Sequence, residues 1–450
     1  MRMMLRTIAV LSLIGAARTA TAETLTADKA VELALKRSTA AINADLGVLD
    51  ARSGLYGAYS GVLPSISAGL TRSGSLSTHN TGSQLFGAFA IPSDPYDSES
   101  YGTTPQISGR WNVLDLSGLS SVSSARQGLR AAQLRRTASR QDIALSARRQ
   151  FYEVVMAVRL ADVSVRALQL SRSDERRVRA LFEVGSVSRS DLLKAQVRTA
   201  QSQLDSLTAI DNITVQRITL GNLLGVAERE LGDVDTVLSV QTQSYDPAAV
   251  LAEAAKNRPD LKAAELEFKS ASSSLRAANL ARLPYVTVSG SAAYNPFRTS
   301  RSSVDSAGLG TSIQTTSVRN ESDRQLSGSV AINWDIFSGM STESRIASAQ
   351  AKLERARDTR AVALRNLEGE VHQALLAHEE ALERNRLGES AYESAAENLK
   401  LTQQKYNVGS ATILELIDAQ VQLQRAESDQ VTALAALRVA EAQLDRVRGR

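Results

Sequence analysis

Two segments decide the fold of this chain: Val184-Gly185-Ser186-Val187-Ser188-Arg189-Ser190-Asp191-Leu192, and Val408-Gly409-Ser410-Ala411-Thr412-Ile413-Leu414-Glu415-Leu416-Ile417-Asp418-Ala419. Each reads as one helix ending and another beginning. Gly185 and Gly409 suit the left-handed position just past a helix C-terminus. Ser188-x-x-Asp191 and Thr412-x-x-Glu415 then have the spacing of a capping box, which starts a return helix. The two turns lie 224 residues apart, and Leu192, Ala195, Gln196 and Val197 recur as Leu416, Ala419, Gln420 and Val421.

Outward from the turns, the repetition continues. Trp111-Asn112-Val113-Leu114 faces Trp334-Asp335-Ile336-Phe337 at an offset of 223, and Leu63-Pro64 recurs as Leu283-Pro284 at 220. The eight prolines fall between 64 and 105 and between 247 and 296, so two Pro-free blocks alternate with two Pro-containing ones. A drift of four residues over the whole repeat means that the halves share one architecture. The expected organisation is an export signal at 1–22, a first repeat at 23–246 and a second at 247–450. The first holds a helix, a β-hairpin at 64–115, a long helical hairpin at 118–224 and a connecting equatorial segment at 225–246. The second holds a helix, a β-hairpin at 284–337 and a helical hairpin at 341–448.

Thr26 and Asp246-Pro247 mark the opening helix of each half, a cap residue with, in the second, proline at the first helical position. After Pro64 and Pro284 the period changes to two. Val286, Val288, Gly290, Ala292 and Tyr294 alternate with Thr287, Ser289 and Ser291, and Leu326, Gly328, Val330, Ile332 and Trp334 alternate with Ser327, Ser329, Ala331 and Asn333. The first half repeats this with Ile66, Ala68 and Leu70 and with Ile107, Gly109, Trp111 and Val113. Strands of about 10 residues with one apolar and one uncharged polar face, and with Trp111, Trp334 and Tyr294 near their ends, suit a transmembrane β-barrel. Loops are expected at about 78–104 and 297–325. A soluble, half-buried sheet is the competing reading, against which stands the near absence of Lys and Glu from the polar face. Four strands cannot close a barrel, and open edges are not tolerated in lipid, so the barrel must be shared between protomers.

The Pro-free blocks step by three and four. Leu364, Leu367, Val371, Ala374, His378 and Ala381 form one seam; Leu416, Ala419, Leu423, Ala426, Gln430, Ala433, Leu437, Ala440, Leu444 and Val447 form the other. Such stepping is that of a coiled coil, and at about 1.5 Å per residue the first long helix would reach about 100 Å. Asp418 lies one turn beyond Glu415 on the same face, past what the cap needs. Two such carboxylates per chain would form a ring in a symmetric oligomer, attracting cations and resisting closure.

Composition narrows the function classes. The chain has 450 residues, 43% of them apolar, 4% aromatic and none cysteine. Thiolate metal sites, disulfides, a cysteine nucleophile and a thioether lipid anchor are excluded. Arg2 and Arg6, the apolar run Ile8–Ala17 and Ala20-Thr21-Ala22 read as an export signal. Its removal takes three arginines and no acid, lowering the formal charge from +4 to about +1, and the electrostatic case for nucleic acid goes with it. No stretch is long and apolar enough for a membrane-crossing helix. There is no phosphate-loop Gly-Lys and no G-x-S-x-G, and the three histidines, His79, His372 and His378, lack metal-helix spacing. No enzyme activity, cofactor or metal is expected.

The order of these parts, signal, duplicated helix, strand–loop–strand, long helix, Val-Gly turn and return helix, resembles that of TolC-family outer-membrane channel proteins over essentially the whole mature chain. The resemblance implies a mainly α fold with a transmembrane β section, assembled as a homotrimer. Its twelve-strand β-barrel in outer-membrane lipid would continue into a twelve-helix α-barrel in the periplasm. The function implied is the passive exit duct of a tripartite efflux or type I secretion system, with a periplasmic adaptor protein and an inner-membrane transporter as partners. Glu415 and Asp418 fall on the family's acidic periplasmic entrance, Asp191 and Tyr406 on a clamp that holds the tip closed, and Val184, Gly185, Ser186, Val408, Gly409 and Ser410 on the adaptor-docking tips. Ala411 stands where that clamp has an arginine. A periplasmic coiled-coil scaffold would explain the helices but not the charge-free strand faces.

Overall fold

A computed structural model describes residues 24–79, 82–86, 89–93, 96–237, 245–307 and 311–450; the expected export signal lies outside them. In chain order the elements are helices α1 (Ala27–Arg37) and α2 (Thr39–Ser60), strands β1 (Ser65–His79), β2 (Gly82–Phe86), β3 (Phe89–Ser93) and β4 (Tyr96–Leu114), and helices α3 (Leu116–Glu183) and α4 (Arg189–Leu224). The second half gives α5 (Pro247–Asn257), α6 (Pro259–Leu280), β5 (Tyr285–Ala307), β6 (Thr311–Asn333), α7 (Ser341–Asn407) and α8 (Ile413–Arg448). Two compact units result. One takes the chain up to Leu46, Arg135–Asp260 and Leu364–Arg450; the other takes Gly47–Leu134 and Leu261–Ala363.

The opening helix expected in each half is two helices, broken at equivalent places. Ser38 leaves helical geometry at ψ 143° and its hydroxyl accepts from the Ala41 backbone N–H, ending α1 and capping α2. At Arg258, 220 residues later, ψ is 122° because Pro259 follows, and a residue before proline is pushed out of the helical region. Upstream, Thr26 accepts from the Lys29 N–H and Asp246 from the N–H groups of Ala248 and Ala249, so both halves open on capped helices.

In the helical unit, α1 packs on α4 and α5 on α8. A core of Ala30, Ala34, Ile143, Ala147, Phe151, Val154, Val155, Leu220 and Leu224 joins α1, α3 and α4. Alanine and valine dominate because helices this close leave room for little else. On α8, Leu416, Ala419, Ala433, Leu437, Ala440, Leu444 and Val447 are buried, and on α7 Leu367, Val371, Ala374, His378 and Ala381. Leu364, the first residue of that expected seam, is half exposed. The equatorial segment is tied down by a parallel bridge between Leu25 and Val234. His378 packs its ring edge-on against Tyr245 at 5.2 Å, and burial lowers its pKa against the influence of Glu379.

The other unit holds an antiparallel sheet in the order β1-β4-β5-β6. Its strands are longer than expected. β5 and β6 have 23 residues each, and β2 and β3 form a separate two-stranded ribbon where a loop was expected. Ser, Thr and Arg do not stop a strand when every other residue still finds a cross-strand partner, so the polar composition of 297–325 was a poor guide to its backbone. The expected length of about 10 fits the apolar part alone. The register aligns the apolar positions on one face: Ala68 with Ile107, Ile107 with Ala292, Ala292 with Leu326, and Trp111 with Val288 and then Val330. Ser67, Ser108, Ser291 and Ser327 line up on the opposite face, two pairs of them hydrogen-bonded at 2.8 and 2.7 Å. Duplication reaches the side chains. Trp111 Nε1 donates to the Val62 carbonyl at 2.9 Å and Trp334 Nε1 to the Arg282 carbonyl at 3.1 Å, in each half two residues before the proline.

Candidate functional site

The two hairpin turns are built identically. Gly185 and Gly409 have φ of +76° and +78°, the left-handed region in which a side chain meets its own backbone. The N–H of Ser186 reaches back to the Leu181 carbonyl at 2.8 Å and that of Gly185 to Phe182; Ser410 and Gly409 do the same to Lys405 and Tyr406. That paired closure satisfies carbonyls that the helix end would otherwise orphan. Val184 and Val408 are 75% and 76% exposed, so each turn presents an apolar side chain to its surroundings.

The return helices start as their sequences require. Thr412 accepts from the Glu415 N–H while the Glu415 carboxylate accepts from the Thr412 N–H at 3.1 Å, a complete capping box. Ser188 accepts from the Asp191 N–H, and its hydroxyl donates to Asp191 Oδ2 at 2.8 Å. This bond, with Lys194 beside it, holds the Asp191 carboxyl below its usual range. Glu415 and Asp418 are both exposed, and Asp418 accepts from Gln422 at 2.7 Å. They share a face of α8, but no contact brings them to the Tyr406 hydroxyl.

The tips are one packed body. Val178 of α3, Ala195 of α4, and Ile413 and Leu416 of α8 are buried together, with Val187, Leu192, Leu399, Tyr406 and Ile417 against them. Tyr406 and Asp191 are thus neighbours, yet the Tyr406 hydroxyl is buried without a hydrogen-bond partner among the described residues. Burial and the Asp191 carboxylate push that hydroxyl upward in pKa, against the influence of Arg177. A buried hydroxyl left unbonded is costly, so Tyr406 sits at a locally unfavourable point of the tip packing.

The spacing did not reveal a second set of contacts linking the hairpins. Asp174 of α3 is 5% exposed and its Oδ2 accepts from Gln420 of α8 in a short hydrogen bond. Arg177, one turn on, stands 3.3 Å from the other Asp174 oxygen and donates to Asn407 Oδ1 at 3.2 Å, at the end of α7. Arg198 of α4 donates to Gln424 of α8 at 2.7 Å. Burial raises the Asp174 pKa, opposed by Gln420 and Arg177. Ala411 leaves no arginine on the second turn, while Arg177 places one between the hairpins from the first. Sequence separation hid these pairs, since Asp174 and Gln420 lie 246 residues apart.

Residues 250–450 match the family described as outer membrane efflux protein. No curated protein sequence matches the chain. Among solved structures, the outer membrane protein VceC from Vibrio cholerae superposes with a TM-score of 0.73 at 18% identity, covering 94% of this chain and 96% of that one. The CmeC outer membrane channel of Campylobacter jejuni gives 0.73 at 15% identity, covering 94% and 85%. The open state of the MtrE outer membrane channel of Neisseria gonorrhoeae gives 0.70 at 20%, covering 94% and 88%. At such identities the likeness establishes the fold, a mainly helical chain with an antiparallel β section.

Proposed function

We propose, from the match of residues 250–450 to the outer membrane efflux protein family, that the whole chain is the outer-membrane exit duct of a tripartite efflux or type I secretion system. Three copies would align their four-stranded sheets into a twelve-strand barrel. Their long helices would form a twelve-helix tunnel in the periplasm, with the Val-Gly turns docking a periplasmic adaptor that links the duct to an inner-membrane transporter. It moves nothing by its own energy; the partner supplies that.

The observation that carries this reading is the sheet. One face is apolar and exposed: Ile66 is 79%, Leu70 72%, Leu326 87%, Val330 72% and Ile332 76% accessible. The face runs over residues 286–294, about 27 Å of strand, near the length of a tilted transmembrane β-strand. Among the described residues both outer strands, β1 and β6, are paired on one side only. A soluble scaffold would leave this apolar surface in water, whereas lipid and neighbouring copies cover both face and edges.

Glu415 and Asp418 then line the periplasmic entrance, and Asp191 and Tyr406 belong to the closed-state clamp. The test is photo-crosslinking from Ser186 and Ser410 in intact cells. Capture of a periplasmic adaptor from both positions, and none from strand position Ser67, is the expected result. Crosslinks to the chain itself alone, with a mature protein soluble without detergent, would favour the scaffold.

A further inference from the structure

Charge is sorted between the two faces of the sheet just beyond its apolar band. From the band's last row, that of Leu70 and Tyr294, outward, the lipid-side face carries Arg324 opposite Tyr294, then Arg72 opposite Thr103, then Arg298 opposite Asn320. Within these rows that face has no acid; the first, Glu99, comes one row further, opposite Leu76. At the same level the other face carries Asp323 and Glu321, with Arg319 paired to Glu321. No ion pair among the described residues uses Arg72, Arg298 or Arg324. All three are exposed, and Arg324 lies 6.0 Å over the Tyr294 ring, which holds its guanidinium beside the band's edge.

Three guanidiniums at the edge of the apolar band thus have no carboxylate among the described residues to neutralise them. Arginine side chains reach out of an apolar layer to its polar boundary, and a guanidinium binds phosphate in two-pronged fashion. We propose that Arg72, Arg298 and Arg324 form a binding belt for phosphorylated lipid headgroups of the outward-facing leaflet. The inference rests on the outer-membrane barrel proposed above. The strands enter and leave the helical part at Ser65, Leu114, Tyr285 and Asn333, so the belt lies at the opposite end of the band, on the hairpin side. Tyr101, opposite Gly74 on the same face, adds an aromatic of the kind found at membrane boundaries. In a trimer the belt would present nine guanidiniums around the barrel.

The experiment uses full-length mature protein in an uncharged detergent, with diphosphoryl lipid A as the probe and an uncharged galactolipid as comparison. Bound lipid is counted by native mass spectrometry, and the same preparations are read for channel steps in planar bilayers. Wild type should retain diphosphoryl lipid A over the galactolipid, losing it in high salt. The triple variant Arg72→Gln, Arg298→Gln, Arg324→Gln should bind it about tenfold or more weakly, as expected for three cations at an anionic surface. The variant Arg110→Gln, Arg301→Gln, Arg319→Gln changes as much charge on the other face and should bind within about twofold of wild type. Equal loss in both triples, or no preference by wild type for the phosphorylated lipid, would overturn the belt, and the latter comparison stands even if a variant fails to assemble. Wild-type protein that forms no channel steps would instead overturn the barrel reading.

Discussion

Gly185 and Gly409 have open space around the position of an added Cβ, so a larger side chain there is penalised by backbone torsion and not by neighbours. Gly→Val at either turn should cost about 1 to 2 kcal/mol. If the turns dock an adaptor, both variants should lose export while still forming trimers; unchanged export in both would reduce the turns to helix connections. Asp174 behaves oppositely to most buried acids that hold a salt bridge. Burial raises its folded pKa above the unfolded value, so its favourable contribution is full below the unfolded pKa and is lost as pH rises through the folded one. Wild type should therefore lose stability relative to Asp174→Asn as pH rises across that window. Asp174→Asn, which can still accept from Gln420, should flatten the curve and stabilise the protein at neutral pH. A difference between the two curves that does not change with pH would contradict the burial of Asp174.

At the scale of elements, the duplication makes paired predictions. Trp111 and Trp334 donate to equivalent carbonyls, and Trp→Phe at either should lose one hydrogen bond, about 0.5 to 1.5 kcal/mol each in trimer dissociation or unfolding. A large effect in one half alone would show that the two are not equivalent. Both tips were legible in the sequence because their signals are local: glycine past a helix end, then a hydroxyl residue three before an acid. The face assignment of the strands was legible because a period of two survives any loop between them. Strand length was not, since Ser, Thr and Arg between 297 and 325 read as loop until cross-strand partners are known. The breaks at Ser38 and Arg258 were missed for a related reason. Each sits inside a continuous small-residue pattern, and only Pro259 marked the second. The contacts of Asp174 with Gln420 and of Arg177 with Asn407 required the packing of α3 against α7 and α8, which no spacing within one helix encodes.

At the scale of the whole molecule, the proposed duct needs an entrance and a closed barrel. Glu415→Gln keeps the capping hydrogen bond, because glutamine also serves there, and Asp418→Asn leaves the box untouched. If the two acids line the entrance, the double variant in planar bilayers should show weaker cation preference and much less block by multivalent cations. Trimer stability should change by less than about 1 kcal/mol, as for exposed charges. An unaltered cation preference would reduce both residues to starting and decorating α8. The entrance, the belt and the docking tips all presuppose that the outer edges of β1 and β6 are closed by other copies of the chain. The mass of the folded protein in an uncharged detergent tests this most directly: three mature chains, dissociating on heating, is the result the account predicts, and a stable folded monomer would contradict it.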